Sequence, residues 1–204
     1  METIDAERAR LRRLNVIAAA LHAVQAVVVL ALANRFRMPV DARYLADAPG
    51  RDRFVVVHLG NLRTAWAVAA FLALSALAHT LVAGPLHERY ERWIDARINP
   101  ARWVEYSLSA TIMILVIAQL CGVADVAALI AMAGANVAMI LFGWLQERYE
   151  EPGGSLLPFW FGCIAGVVPW IAILVHVIGP GAPASAEPPA FVYAIVVSLF
   201  LFFN

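Results

Sequence analysis

The chain of 204 residues contains no lysine, and all fifteen of its basic residues are arginine. Charge is scarce altogether, since 15% of the residues are charged and 62% are hydrophobic, with a mean hydropathy of +0.75. Because soluble domains carry about 25% charged residues, this composition excludes an ordinary soluble protein. The formal net charge of zero gives no argument for a nucleic-acid partner.

Cysteine is also rare, with Cys121 and Cys163 the two in the chain. Their spacing matches no metal-binding motif, and two thiols at these places make no disulfide framework. We therefore expect both to be small apolar residues of a helical core.

Long apolar stretches dominate what is present. About 20 apolar residues cross a bilayer as a helix, and continuous rather than alternating stretches argue against a membrane β-barrel. We predict an all-α, polytopic membrane helix bundle that forms a single transmembrane domain over residues 1–204. Its six spans cover residues 14–34, 61–83, 100–120, 126–146, 156–178 and 189–204.

Several span ends carry their own signals. Asn99 before Pro100 predicts the N-cap of the third span, and Asp125 predicts that of the fourth. The first span resembles a signal peptide, but its apolar part is long and carries His22 and Gln25, so we expect a retained helix. The sixth segment is only about 24 Å long as a helix, and we expect the chain to be a fragment of a longer protein.

Arginine asymmetry predicts the orientation. Nine arginines lie at the N-terminus, between spans two and three, and after span four, whereas six lie on the opposite side. The positive-inside rule then places the N-terminus in the cytoplasm, with the chain in the cell membrane. In the long external loop, the turn signal Pro49-Gly50 and the β-branched run of residues 55–57 predict a short hairpin.

Polar residues inside the spans are costly and are read as functional or as partners of one another. They are Asn15, His22 and Gln25 in span one, Ser75 and His79 in span two, Glu105 and Ser109 in span three, Asn136 in span four and His176 in span five. We expect His176 to hydrogen-bond between helices. His22, His79 and Glu105 lie toward one leaflet, which predicts a polar cavity that holds water and protons.

Glu105 has two interpretations. It could be an interfacial carboxylate paired with Arg102. However, the apolar run from Leu108 to Leu120 is only 13 residues, too short to cross a bilayer of about 30 Å. The third span must therefore include Glu105, and a carboxylate within the membrane needs a cation or a proton as partner.

The spacing of Arg102, Glu105 and Ser109, with Trp103 and Tyr106 after the two charges, resembles the third helix of microbial rhodopsins. In most microbial rhodopsins the acid at this position is an aspartate. The glutamate here, together with a cytoplasmic N-terminus, narrows the resemblance to the heliorhodopsins. Similar segments occur along essentially the whole chain, among them "LNVIAAALHAVQA", "LSALAH", "ARWVEYSLSATIM", "PFWFGCIAG" and "SLFLFFN". The predicted external hairpin is also a feature of that family.

The resemblance implies a light-sensing, retinal-binding membrane protein that is neither an enzyme nor a pump, with six of seven spans visible. Glu105 would be the counterion of the protonated retinal Schiff base. A cytoplasmic-side proton and water cavity would involve His22, His79, Ser75 and Gln25, and the retinal pocket Ser109, Asn136, Met139, Trp160 and Phe200, with Phe202 and Phe203 as further aromatic wall. Membrane lipid, a second copy in a homodimer and an unknown signalling protein are the implied partners.

The resemblance departs from the family pattern at the attachment residue. The family binds all-trans retinal to a lysine of the seventh helix, and these residues include neither that helix nor any lysine. The implied chromophore therefore requires a lysine beyond Asn204.

Two alternatives remain open. One is a membrane cytochrome in which His22, His79 and His176 supply haem ligands, which a Soret band in the purified protein would reveal. The other is a non-catalytic membrane interaction module or truncated relic, which would bind no chromophore even with downstream sequence restored.

Overall fold

The computed structural model describes residues 2–51, 53–183 and 189–203, which form seven helices and a two-stranded sheet. The elements are α1 (Glu2–Ala31), β1 (Arg37–Leu45), β2 (Phe54–Arg63), α2 (Thr64–Ala83), α3 (His87–Asp95), α4 (Pro100–Leu120), α5 (Val126–Tyr149), α6 (Leu157–Ile178) and α7 (Ala190–Phe203). Five of these helices, α1, α2, α4, α5 and α6, are long and apolar enough to cross a membrane, and α7 is a shorter apolar helix. The expected membrane helix bundle with a small two-stranded hairpin is thereby confirmed.

Helix ends follow local signals where such signals exist. The third predicted span and α4 have the same bounds, because Asn99 Oδ1 accepts the backbone N–H of Arg102 at 3.2 Å and Pro100 starts the helix. Asp125 Oδ1 likewise accepts the backbone N–H groups of Ala127 and Ala128, at 2.9 and 3.1 Å. Both predicted N-caps are confirmed.

Other ends differ from the prediction. α1 begins at Glu2, well before residue 14, and ends at Ala31. Residues 61–63, assigned to the second span, belong instead to β2, where they pair with residues 37–39 of β1. The helix then starts at Thr64. Apolar composition does not mark this boundary, because Asn61, Leu62 and Arg63 are mostly polar and their strand state depends on pairing with β1.

α3 is absent from the sequence-based prediction, which treated residues 87–95 as a loop. Its sequence "HERYERWID" is mostly charged, so hydropathy does not reveal it. Tyr90 is nevertheless buried beneath the ends of the spans. The signal that could have found this helix is the spacing of Leu86, Tyr90 and Trp93, which recurs at about one helical turn.

The helices pack as a row, in which α1 contacts α2, α2 contacts α4, α4 contacts α5 and α5 contacts α6. The most buried cluster lies between α4, α5 and α6, at the end of the helices that the hairpin covers. It includes Ile114, Val123, Trp170 and Ile173. The antiparallel hairpin covers α2 and α4 there, because Met38 packs against Ala67 and Val116.

The cysteines divide between two environments. Cys121 is half-buried and packs against the core cluster, whereas Cys163 is exposed on α6. The prediction of a core position is therefore wrong for Cys163. Its apolar neighbours mislead because a membrane helix is hydrophobic on its lipid-facing side as well as on its packed side.

Two glycines of α5 provide a test of the α4–α5 contact. A Cβ at Gly143 would lie 2.5 Å from Cζ3 of Trp103, whereas a Cβ at Gly134 would meet nothing within 4 Å. We expect Gly143→Ala to lower the free energy of unfolding by about 1–3 kcal/mol through overpacking. Gly134→Ala should leave the stability of the protein unchanged or raise it by up to about 1 kcal/mol, since it only reduces the conformational entropy of the unfolded chain.

The measurement is the unfolding midpoint of both variants in detergent, followed by the helical circular-dichroism signal. Equal midpoints for the two variants would contradict the close approach of Trp103 to α5.

Candidate functional site

Glu105 lies in the second turn of α4, half-buried, and faces α2. Ser75 Oγ of α2 donates a hydrogen bond of 2.5 Å to Glu105 Oε1. Arg102, its partner in the interfacial interpretation, points elsewhere: the Nη2 atom of Arg102 lies 2.9 Å from Oε1 of Glu147. Among the described residues, no arginine or histidine nitrogen lies within 4.0 Å of the Glu105 carboxylate.

Glu147 explains why Arg102 is drawn away. This carboxylate, on the last turns of α5, accepts hydrogen bonds from Arg102 Nη2 at 2.9 Å, from Trp103 Nε1 at 2.5 Å and from the backbone N–H of Asn99 at 2.7 Å. Charge-assisted bonds of this kind are stronger than neutral ones. The start of α4 is therefore held against the end of α5, and Glu105 is turned toward α2.

The two predicted cavity histidines meet across α1 and α2. The rings of His22 and His79 stack with their centroids 5.8 Å apart and an interplanar angle of 12°. His79 Nδ1 donates to Asn15 Oδ1 at 2.8 Å, and His22 Nδ1 donates to Gln25 Oε1 at 3.1 Å. His22, His79 and Gln25 thus form one polar cluster. Asn15, which is 7% exposed, completes it, although the sequence-based site did not include this residue.

A cavity of about 130 Å³ connects this cluster with Glu105. Asn15, His79 and Glu105 contribute polar atoms to its wall, together with Tyr90 of α3 and Arg102. A polar space of this volume accommodates a few water molecules. Tyr90 could not be assigned to the cavity from the sequence, because α3 itself was not predicted.

Three of the predicted pocket residues lie where α4, α5 and α6 pack. Ser109 is buried one turn beyond Glu105, and the fully buried Asn136 donates through Nδ2 to Thr111 Oγ1 at 2.9 Å. Met139 packs against α6 at Gly166, where an added Cβ would collide with the Met139 sulfur.

The predicted aromatic residues occupy other surroundings. Trp160 lies at the start of α6, is 59% exposed and packs edge-on against Phe159. Phe200 of α7 packs edge-on against Trp170 with ring centroids 5.2 Å apart. The side chains of Phe202 and Phe203 lie outside the described residues. Trp170, which follows the mid-helix Pro169, was not predicted to contribute to the site.

The histidine geometry bears on haem binding. His22 and His79 stack directly on one another, which leaves no room for a porphyrin between them. His176 donates to the carbonyl of Ala172 in its own helix at 2.9 Å, and it makes no hydrogen bond to another helix among the residues that the structure describes. The arrangement favours a hydrogen-bonded polar cavity over an axial ligand pair.

Fold and site define a class: a multi-pass helical membrane protein with a half-buried carboxylate and a polar cavity at one end of its helices. Within that class, the heliorhodopsin family model matches residues 11–204, and the chain belongs to the heliorhodopsin family. No curated protein matches the sequence. The family is a light-sensing, non-enzymatic type of microbial rhodopsin whose chromophore is retinal, and its members reside in lipid membranes.

The Ser75–Glu105 bond provides a direct test of the site. We expect Ser75→Ala to destabilise the protein by about 1–2 kcal/mol, because it removes a bond between two helices that involves a charged acceptor. Ser107→Ala is the matched control, since Ser107 Oγ donates only to the carbonyl of Val104 in its own helix. Thermal unfolding in detergent compares the stability of the two variants. If Ser75→Ala lost no more stability than Ser107→Ala, the bond between the helices would contribute nothing to stability.

Proposed function

We propose that this chain is a non-pumping light sensor of the cell membrane with a cytoplasmic N-terminus, in which Glu105 is the counterion of the retinal Schiff base. One observation carries the proposal: Glu105 is half-buried where α4 meets α2, is hydrogen-bonded by Ser75, and among the described residues has no arginine or histidine nitrogen within 4.0 Å of its carboxylate. A carboxylate in this position is stabilised by a cation that the ligand brings.

The residues present fit such a ligand in part. When bound as a protonated Schiff base, retinal supplies absorption of visible light and a cation at its nitrogen. Glu105 matches that cation, and Met139, Trp170 and Phe200 are large apolar side chains on α5, α6 and α7 that would contact a polyene. The amine is the missing element, because every basic residue in the chain is an arginine. Guanidinium groups stay protonated and do not form imines at neutral pH. The proposal therefore includes a lysine beyond Asn204, with retinal in its all-trans form.

The cluster of His22, His79, Gln25 and Asn15 would then hold a proton close to Glu105. Imidazole groups accept and release protons near neutral pH. His79 and Glu105 both line the cavity of about 130 Å³. Ser75, bonded to the same carboxylate, would orient it toward the ligand. A proton retained at this end of the helices does not cross the membrane, which is why we propose sensing rather than pumping.

The wider assembly is part of the same proposal. Residues 1–204 would form a single rhodopsin-like domain, paired as a homodimer and read by a separate signalling protein. The glycines of α6 do not argue for the dimer, because Gly162 and Gly166 already pack against Phe142 and Met139 of α5 within the chain. The dimer and the signalling partner rest on the family resemblance alone.

A preformed Schiff base tests the counterion without the missing lysine. The purified protein in detergent would be titrated with the n-butylamine imine of all-trans retinal while absorption spectra are recorded. We expect wild type to convert the near-ultraviolet absorption of the free imine into a visible band, because Glu105 stabilises the protonated form. In Glu105→Gln the band should be weaker and lie at longer wavelength, since a neutral amide holds the positive charge less tightly.

Glu151→Gln, which neutralises an exposed glutamate of the α5–α6 loop, is the matched control and should behave as wild type. The counterion assignment would be wrong if Glu105→Gln gave the wild-type spectrum. The absence of any visible band in wild type would reject retinal binding by this chain.

A further inference from the structure

A second cavity lies at the same end of the molecule, outside the proposed retinal site. It is a cleft of about 550 Å³ between α1 and α3. Arg8, Arg12 and Arg13 line it from α1, and His87 and Glu91 line it from α3. Three arginine side chains thus line one space within two turns of helix.

The bonds of these arginines hold the cleft in shape. Arg8 Nη2 lies 2.7 Å from Asp95 Oδ2, and Arg12 Nε donates to the carbonyl of Ala83 at 3.0 Å. Arg8 therefore ties α1 to the end of α3, and Arg12 ties α1 to the end of α2. Arg13, by contrast, makes no hydrogen bond or ion pair with any residue that the structure describes. Its charge is available to a ligand.

One donor in the cleft lacks an acceptor. The Nε atom of Arg8 is buried and, among the described residues, has no hydrogen-bond partner. A buried N–H group without an acceptor is unfavourable, and native proteins seldom leave one. Because Nε is closed to solvent as the cleft stands, a ligand oxygen would reach it only after a rotation of the Arg8 side chain.

The charge balance indicates the sign of that ligand. Against three arginines stand two carboxylates, Glu91 in the wall and Asp95 on Arg8, so the cations exceed the carboxylates by one. His87 Nε2 lies 3.3 Å from Glu91 Oε1, which partly occupies that carboxylate. Guanidinium groups bind both phosphate and carboxylate oxygens in a bidentate manner, so the cleft suits an oxyanion.

We propose that this cleft binds a phosphate group. Its position fits such a ligand, because the apolar part of α1 begins at Leu14, directly after Arg13, which places the cleft where a membrane meets water. The phosphate could belong to the headgroup of an anionic phospholipid or to a soluble phosphate compound. Either source would link the start of α1 to α3.

The test uses the full chain in two arms. In the first, the protein is purified from micelles that contain phosphatidylcholine and phosphatidylglycerol, and native mass spectrometry measures the retained lipid. In the second, the protein in phosphatidylcholine nanodiscs is titrated with inorganic pyrophosphate by calorimetry. We expect Arg13→Gln to weaken binding about tenfold, as expected for the loss of one charge-assisted bond.

Arg10→Gln is the matched control, because Arg10 is exposed on the same helix and does not line the cleft. It removes the same charge and should bind like wild type. Thermal unfolding would verify that Arg13→Gln remains folded. If Arg13→Gln loses only the retained phosphatidylglycerol, the phosphate is that of a lipid headgroup. If Arg13→Gln loses only pyrophosphate binding, the phosphate is that of a soluble compound.

Two outcomes would overturn the proposal. One is that wild type neither prefers phosphatidylglycerol to phosphatidylcholine nor binds pyrophosphate. The other is that Arg13→Gln and Arg10→Gln weaken binding equally. Binding would then depend on the overall charge of the protein and not on the cleft.

Discussion

The carboxylate of Glu147 is the contact on which the arrangement of the site depends. It gathers the backbone N–H of Asn99, the guanidinium of Arg102 and the indole of Trp103 at the point where α4 begins. Three donors on one charged acceptor set both the position and the rotation of α4 against α5. With Arg102 engaged there, Glu105 is left facing α2 and takes the hydroxyl of Ser75 as its partner.

Polar groups within a membrane must satisfy one another, and the bundle does this in connected groups. Asn15, His79 and His22 join α1 to α2, whereas Ser75 and Glu105 join α2 to α4. Tyr90 of α3 lines the cavity between the two groups. The short amphipathic helix, which composition had hidden, therefore matters to the site as much as the spans do.

Much of this could be predicted from the sequence because it depends on local chemistry. Apolar runs predict membrane helices, and Asn99 and Asp125 predict helix starts, since a cap bonds to residues two or three positions away. Glu105, His22 and His79 could be placed at similar depth, because the rise of a helix converts sequence distance into depth. The strand at residues 61–63 and the exposed position of Cys163 could not be predicted, since both depend on which other elements pack beside these residues.

The sequence by itself determined the class of the protein, the approximate places of its long apolar helices and the depth of its polar residues. Tertiary structure decided the pairings: Arg102 bonds to Glu147, which is 45 residues away, rather than to Glu105 on its own helix. The physical reason is that spacing along one helix specifies which residues share a face, but not which neighbour that face will meet. That choice follows from packing over the whole bundle, where Gly143 admits the ring of Trp103 and so lets the indole and the adjacent guanidinium reach the same carboxylate.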